Sequence, residues 1–155
     1  MKVEANRTSI LFGWNCSLRM DGRLCGEMGF AWMGRSGTIV VEGDEFQVRS
    51  QGVFAGAWDL WQGSRLLASA NKLSFPSRFE IDLDGIPFVL QRPSLFSRNF
   101  DLLQGSRTVG RLERAGWFTR RMVGELPDQW SPQHRAFAMW LVMMMWRRRA
   151  RSGNH

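Results

Sequence analysis

Basic residues are concentrated in the second half of this chain. Residues 1–84 carry nine Lys or Arg and ten Asp or Glu, a net charge of −1, whereas residues 85–155 carry twelve and four, a net charge of +8. Together the two halves give the formal charge of +7 of the 155-residue chain. Arginine offers a fixed positive charge and several hydrogen-bond donors, so a local excess of it suits contact with anionic groups such as phosphates.

An internal repeat shows which of these arginines the fold itself can require. Two segments align without gaps at an offset of about 42 residues, which is typical of a repeated supersecondary unit. Gly43 aligns with Gly85, and residues 62–65 (Gln-Gly-Ser-Arg) align with residues 104–107. Residues 15–35 resemble a shorter, partial copy of the same unit.

Four arginines of the second repeat have no basic counterpart in the first. Arg92, Arg98, Arg111 and Arg121 stand where the first repeat has Ser50, Gly56, Ser69 and Phe79. A scaffold shared by both repeats does not require these arginines, and Arg114, which matches Lys72, is ambiguous. The candidate anion-binding or lipid-binding residues are therefore Arg92, Arg98, Arg111, Arg114 and Arg121.

Three explanations of this charge remain open. Anionic phospholipid headgroups are attracted by roughly 1 kcal/mol for each basic residue close to a charged membrane. Nucleic acid is a less favoured alternative: the aromatic side chains Phe96, Phe100, Trp117 and Phe118 could stack on bases, but the sequence contains no recognisable nucleic-acid-binding motif. In the third explanation, the charge only keeps a structural domain soluble and has no specific ligand.

The sequence contains no recognisable catalytic or metal-binding pattern. Its only histidines, His134 and His155, cannot supply a Ser-His-Asp arrangement or a site with several histidine ligands. The glycines follow hairpin spacing and do not form a phosphate-binding loop. Cys16 and Cys25, the only cysteines, fit either a reduced pair or a disulfide between neighbouring strands. We therefore expect a protein that is not an enzyme and that needs no cofactor and no metal.

Regularly spaced glycines predict the elements that position these residues. Gly22, Gly43, Gly63, Gly85 and Gly105 recur every 20 to 22 residues, most of them in turn-forming pairs such as Asp-Gly. The segments between them alternate in the manner of half-buried strands. The pattern predicts an all-β meander of about ten to twelve short strands, spanning about residues 11–126.

A wholly apolar stretch near the end of the chain predicts a buried helix. Residues 136–146 carry no polar side chain, and Ser131 and Pro132 before them suit the start of a helix. Crossing a bilayer takes roughly 20 apolar residues, so this stretch of 11 favours burial in protein. We predict a central helix over about 132–149, whose arginines 147–149 leave the core for solvent.

The strands and the helix fit one architecture. A closed antiparallel barrel of about eleven strands is wide enough to house a central helix. The helix rises about 17 Å, which is similar to the height of a barrel built from strands of six to eight residues. The sequence therefore predicts one domain over residues 1–155, a closed meander barrel around a buried hydrophobic helix.

This layout resembles a known superfamily. A 42-residue β unit ending in residues 94–102 (Ser-Leu-Phe-Ser-Arg-Asn-Phe-Asp-Leu), then the Gln104-Gly105 turn, the strand 107–112 and an apolar C-terminal helix are similar to the tubby C-terminal domain, phospholipid scramblase and LURP-one-related superfamily. The likeness extends over about residues 11–149 and suggests a small, bacterial-type member.

The resemblance implies a fold and a class of partner. The superfamily fold is a twelve-stranded barrel with a hydrophobic helix through the middle. Tubby domains bind phosphoinositides and scramblases act on membrane phospholipid, although this sequence lacks the calcium-binding and cysteine-rich features of eukaryotic scramblases. We therefore expect a cytoplasmic binding or scaffolding module, able to lie peripherally at a membrane, whose partner is anionic lipid or another protein.

Overall fold

The structure is a closed barrel of twelve antiparallel strands with one helix inside it. It is a computed structural model that describes residues 1–7, 15–31, 36–51, 56–73, 78–94, 96–116 and 121–152, with the backbone alone for 149–152. The strands are β1 (Lys2–Arg7), β2 (Cys16–Met20), β3 (Arg23–Phe30), β4 (Gly37–Val41), β5 (Asp44–Ser50), β6 (Ala57–Gln62), β7 (Arg65–Leu73), β8 (Arg78–Leu83), β9 (Ile86–Gln91), β10 (Phe100–Gln104), β11 (Arg107–Arg114) and β12 (Met122–Glu125). The predicted fold class is confirmed.

The strands form a meander that β1 closes. Each strand from β2 to β12 pairs with its neighbours in sequence, and β1 pairs with both β2 and β12. The prediction that strands begin near residue 11 was wrong, because β1 starts at Lys2. Only Val3 and Ala5 of this strand are buried, so its local pattern is weak and its place depends on partners more than 100 residues away.

All five predicted hairpin turns are present. Both residues of the Asp21-Gly22, Glu42-Gly43 and Asp84-Gly85 pairs have positive φ, as a type I′ turn requires. Gly63 and Gly105 have positive φ and are each followed by a serine whose φ is not positive, as in a type II′ turn. Because alternate connections of a meander lie at the same end, all five turns share one end of the barrel, here called the turn end. The six other connections form the opposite, loop end.

The 42-residue repeat is a structural repeat of four strands. In the β2–β3, β6–β7 and β10–β11 hairpins the register shifts after Leu18, Leu60 and Leu102, which are 42 residues apart. The hairpins β4–β5 and β8–β9 complete the first two units. β12 and β1, from opposite ends of the chain, complete the third, so the barrel has threefold pseudo-symmetry.

The helix fills the barrel interior. Helix α1 (Pro132–Ser152) begins at the turn end, where the Ser131 Oγ accepts a hydrogen bond from the His134 amide at 3.4 Å, as an N-cap does. Its residues 136–146 are each at most 7 % exposed, so the predicted burial is confirmed. Within the part of the chain that the structure describes, no helix is long and apolar enough to span a membrane.

Trp140 anchors the helix to the wall. Its indole stacks on Phe30 with ring centroids 5.0 Å apart, and its Nε1 donates a hydrogen bond to the Gly29 carbonyl at 3.0 Å. Glycine at position 37 makes room for this contact, because a Cβ there would lie 2.5 Å from the indole Nε1 and 2.2 Å from the Gly29 oxygen. The methionines of the helix are likewise buried in the core cluster, as predicted.

The C-terminal end of the helix differs from the prediction. α1 continues to Ser152, and Arg147 is only 5 % exposed, so it does not emerge into solvent. Its Nη2 donates a hydrogen bond to the Ala31 carbonyl at 3.3 Å, and its guanidinium lies 5.4 Å from the centroid of Phe30. The end of β3 and the residue after it therefore reach this turn of the helix and cover the Arg147 side chain.

Candidate functional site

The five candidate arginines occupy different heights of the barrel. Arg111 lies in the middle of β11 on the outer wall, and its side chain is 54 % exposed. Arg114 ends β11, and Arg121 precedes β12. Arg92 and Arg98 lie in the connection from β9 to β10. All but Arg111 are therefore at the loop end, around the C-terminal turn of the helix.

Arg111 has a role in the scaffold. It pairs directly with Asp101 across β10 and β11, and its Nε donates to the Asp101 Oδ1 at 2.7 Å. That hydrogen bond and charge raise the pKa of the Arg111 guanidinium. In the preceding repeat, Asp59 and Ser69 stand at the positions equivalent to Asp101 and Arg111, and the Ser69 Oγ donates a hydrogen bond to the Asp59 Oδ1 at 2.8 Å. Arg111 therefore has a carboxylate partner within the barrel wall, and its role in anion binding stays a prediction.

Arg121 also has a carboxylate partner. Its Nη2 lies 2.6 Å from the Glu4 Oε1, so the pair joins the segment before β12 to the strand that closes the barrel. A hydrogen bond from Asn6, together with the charge of Arg121, holds the pKa of Glu4 below its ordinary value. The comparison of repeats missed this partner because it lies in the strand that the sequence did not reveal.

The other three candidates lie in a cluster of cations at the loop end. Arg92, Arg98 and Arg114 are joined there by Lys72 of β7 and Arg148 of α1. We call this cluster the basic rim, and it consists of Lys72, Arg92, Arg98, Arg114 and Arg148. The strands concerned, β7 to β11, are consecutive in the barrel, so the rim is one continuous arc around the helix end.

The pseudo-symmetry explains how the helix meets this arc. Positions 30, 72 and 114 are equivalent in the three units, and each lies close to one residue of the helical segment 146–148. Arg147 lies over the ring at position 30, Arg148 is close enough to Lys72 to shift its pKa, and Arg114 lies 5.5 Å from the centroid of Trp146. The sequence analysis placed Arg148 in solvent and therefore did not predict it as a member of the rim. Lys72 could have been predicted, because it matches Arg114 in the repeat alignment.

Burial and neighbouring cations dominate the electrostatics of Lys72 and Arg114 in the rim. Burial lowers the pKa of Lys72, and the like charges of Arg148 and Arg92 lower it further. Burial and then the charge of Arg98 lower the pKa of Arg114 in the same way. In the described part of the chain no carboxylate is among the groups that shift either pKa, in contrast to Arg111. In addition, the Nε and Nη1 of Arg92 are buried and have no hydrogen-bond partner among the described residues.

A shallow groove opens within the basic rim. It encloses about 350 Å³ and is lined by Phe96, Ser97, Arg98, Asn99, Arg114 and Gly116. The Trp146 Nε1 donates a hydrogen bond to the Arg98 carbonyl at 2.8 Å, which ties the segment that forms the groove to the central helix. The groove therefore has a fixed floor and two arginines at its edge.

The opposite end of the barrel carries acidic as well as basic residues. Acidic residues lie in or beside the hairpin turns and in the segment leading to the helix: Asp21, Glu42, Asp44, Asp84 and Asp128. Some have basic partners, such as Arg23, whose Nη2 lies 3.3 Å from the Glu42 Oε1. The turn end thus carries exposed charges of both signs, including Arg65 and Arg107, whereas the loop end carries the cation cluster of the basic rim.

Other features of the described residues do not form a chemical site. No group of three or more His, Cys, Asp or Glu side chains among them could hold a metal ion. Cys16 and Cys25 are free thiols, and burial raises the pKa of Cys16 to about 12, so its thiolate is scarce at neutral pH. A larger groove of about 670 Å³ on the outer wall, over β1, β2, β11 and β12, is lined by residues of both charge signs.

Two of the four aromatic residues considered for base stacking are described by the structure, and they differ in exposure. Phe100 is 1 % exposed and belongs to the core, whereas Phe96 is 95 % exposed at the rim. Trp117 and Phe118 lie outside the described residues. Of the two that the structure describes, Phe96 is the accessible ring.

The chain was compared with known protein families, with curated proteins and with solved structures, and nothing matches. The resemblance to the tubby, scramblase and LURP-one-related superfamily therefore stays a prediction that is based on sequence layout.

The burial of His134 in the first turn of α1 can be tested through the pH dependence of stability. Burial lowers the pKa of its imidazole, and the opposing effects of a hydrogen bond with the Leu67 backbone and of the charge of Asp84 are smaller. The unfolded chain then binds the proton more readily, so stability is complete above about pH 6.5 and declines as the pH falls through the folded-state pKa. We expect denaturant unfolding of the wild type to show this decline and His134→Gln to show less of it; equal pH dependence of the two proteins would contradict the assignment.

Proposed function

We propose that this protein is a non-enzymatic module that binds the anionic phospholipid surface of a membrane peripherally, through its basic rim. The observation that carries the proposal is the set of five cations, drawn from two strands, one connection and the helix. Burial, and then the charges of Arg148 and Arg92, lower the pKa of Lys72, while burial and then the charge of Arg98 lower the pKa of Arg114, and no carboxylate is among the groups that shift these two pKa values. An anionic surface would supply the missing countercharge.

The helix itself supplies too little negative charge to explain the rim. The C-terminus of a helix carries a partial charge of about −0.5, which favours nearby cations. The three charges of Lys72, Arg92 and Arg114 alone exceed this partial charge several times over, so the helix terminus cannot offset them. A closed barrel cannot move its strands apart to relieve the repulsion between these charges. A bound anion would relieve it, at about 1 kcal/mol for each basic residue near a charged membrane.

The polarity of the barrel favours an extended anionic surface as the partner. The basic rim lies at one end and charges of both signs lie at the other, so an anionic membrane would attract the loop end more strongly than the turn end. This would orient the barrel with its axis perpendicular to the membrane plane and the C-terminal end of α1 toward the lipid.

Cosedimentation with vesicles tests the proposal. We expect the wild-type protein to bind vesicles that contain phosphatidylglycerol, to bind pure phosphatidylcholine vesicles much less, and to lose affinity as salt screens the charges. Gel shifts with single-stranded and duplex oligonucleotides form the second arm. Binding to oligonucleotides without binding to anionic vesicles would replace lipid by nucleic acid as the ligand, and binding to neither would leave the structural role.

A further inference from the structure

Phe96 is the most exposed large apolar side chain in the described part of the molecule. It is 95 % exposed, whereas Leu24, Ile86 and Leu66 are 58 %, 49 % and 48 % exposed. Those three follow hairpin turns and so lie at the turn end. Among the described large apolar side chains that are exposed, Phe96 alone lies at the loop end, within the basic rim.

The chain holds this ring in a defined place. Ser97 donates its amide proton to the Ser94 carbonyl at 3.2 Å, and the Asn99 amide donates to the Ser97 Oγ at 3.1 Å, so the segment around Phe96 is a hydrogen-bonded turn. Two residues further on, the Trp146 indole holds the Arg98 carbonyl. Phe96 is therefore presented outward by a segment that is fixed to the central helix.

Arginine side chains border the exposed ring. Phe96 shares its groove with Arg98 and Arg114, whose charges are close enough for one to lower the pKa of the other. An apolar ring beside two guanidinium groups matches the layered chemistry of a bilayer surface, where anionic phosphates lie just above apolar chains.

We infer that Phe96 is a membrane anchor, which inserts its ring below the phosphates of an anionic bilayer while Arg98 and Arg114 contact those phosphates. This inference rests on the proposed function and adds to it which residue enters the bilayer and how deep its side chain lies relative to the phosphates. The ring gains free energy by leaving water, a contribution that salt does not screen, whereas the arginines contribute the part that salt weakens.

Phe96 is the one exposed aromatic ring at the loop end among the described residues, and such a ring fits a membrane better than it fits single-stranded nucleic acid. Proteins that bind single strands stack successive bases on several aromatic side chains along a basic groove. Phe100, four residues further along the chain, is buried in the core and cannot extend such a row. Phenylalanine also has no polar atom that would need a partner inside the bilayer.

The test compares Phe96→Ser with Leu66→Ser, a matched control at the turn end. We expect Phe96→Ser to bind anionic vesicles about tenfold more weakly than the wild type, which corresponds to about 1.4 kcal/mol. This factor should persist when salt has weakened the binding of both proteins. Leu66→Ser should bind as the wild type does, and thermal unfolding should be unchanged in both, because both side chains are solvent-exposed. A Phe96→Ser affinity equal to that of the wild type would overturn the inference.

A second variant reports the depth directly. Phe96→Trp should bind at least as tightly as the wild type, and lipids brominated along their chains should quench its added fluorescence more than they quench the wild type. Quenching equal to that of the wild type would overturn insertion.

The inference and the proposed function can fail separately. If the wild type binds anionic vesicles and Phe96→Ser binds equally well, only the anchor is wrong. If the wild type binds no vesicles, both are wrong. If the serine variant loses affinity for oligonucleotides and keeps its affinity for vesicles, the ring stacks on bases and the anchor is again overturned.

Discussion

Replacing Trp140 by alanine is expected to lower the free energy of unfolding by about 3–5 kcal/mol, the range for removing a buried tryptophan. The side chain is fully buried, stacks on Phe30 and donates to the Gly29 carbonyl, so the substitution leaves a cavity and an unpaired carbonyl between helix and wall. Because domains of this size are stable by about 5–15 kcal/mol, such a loss would remove much of the total. Chemical denaturation monitored by circular dichroism measures it.

Two further variants separate the components of this effect. Trp140→Phe keeps most of the apolar volume and removes the Nε1 donor, so we expect a smaller loss of about 1–3 kcal/mol for the orphaned carbonyl. Trp61→Phe, on the outer side of β6, should change stability by less than about 1 kcal/mol, as surface substitutions usually do. A Trp140→Ala protein as stable as the wild type would show that the helix does not pack inside the barrel.

Neutralising the basic rim is expected to have the largest effect on binding. The variant that carries Lys72→Gln, Arg92→Gln, Arg98→Gln and Arg114→Gln removes four of the five rim charges. At about 1 kcal/mol per charge, its affinity for anionic vesicles should fall about 1,000-fold at low salt. Arg148 is retained because its guanidinium packs 5.4 Å from the centroid of Trp58 and the substitution would disturb the core. Cosedimentation over a range of salt concentrations measures the loss.

The fold was predictable where local chemistry specifies it. The turn pairs such as Asp84-Gly85 demand positive φ, which few residues other than glycine adopt easily, so they mark hairpins without reference to the rest of the chain. The helix was predictable for a similar reason, since residues 136–146 are apolar on every side and need surrounding protein. In both cases the informative residues are neighbours in sequence.

The parts that were not predicted depend on contacts between distant residues. β1 alternates weakly, and its identity as a strand comes from its pairing with β12 at the other end of the chain. Arg121 has its countercharge on that unrecognised strand. Comparing repeats shows which residue types differ, but not which carboxylate lies opposite, so it did not reveal the pairing of Arg111 with Asp101, only ten residues away. Arg147 was predicted to be in solvent, but its burial depends on how far the barrel wall extends along the C-terminal part of the helix, which the local sequence does not show.

The candidate site was found in part. Arg92, Arg98 and Arg114 came from the repeat comparison, and the structure adds Lys72 and Arg148 by bringing β7 and the helix end to the same arc. The site is therefore an end of the barrel, where the sequence had suggested a face of the second repeat.

One measurement tests the proposed function most directly, namely the affinity for anionic vesicles of two variants that each lose four charges. The first is the rim variant, and the second carries Lys2→Gln, Arg23→Gln, Arg65→Gln and Arg107→Gln, four basic residues that are exposed at the turn end. Both have the same net charge, so a nonspecific attraction would weaken both alike. We expect the rim variant to lose nearly all binding and the turn-end variant to keep affinity close to that of the wild type. Equal losses in the two variants would contradict the proposal that the basic rim is the binding site.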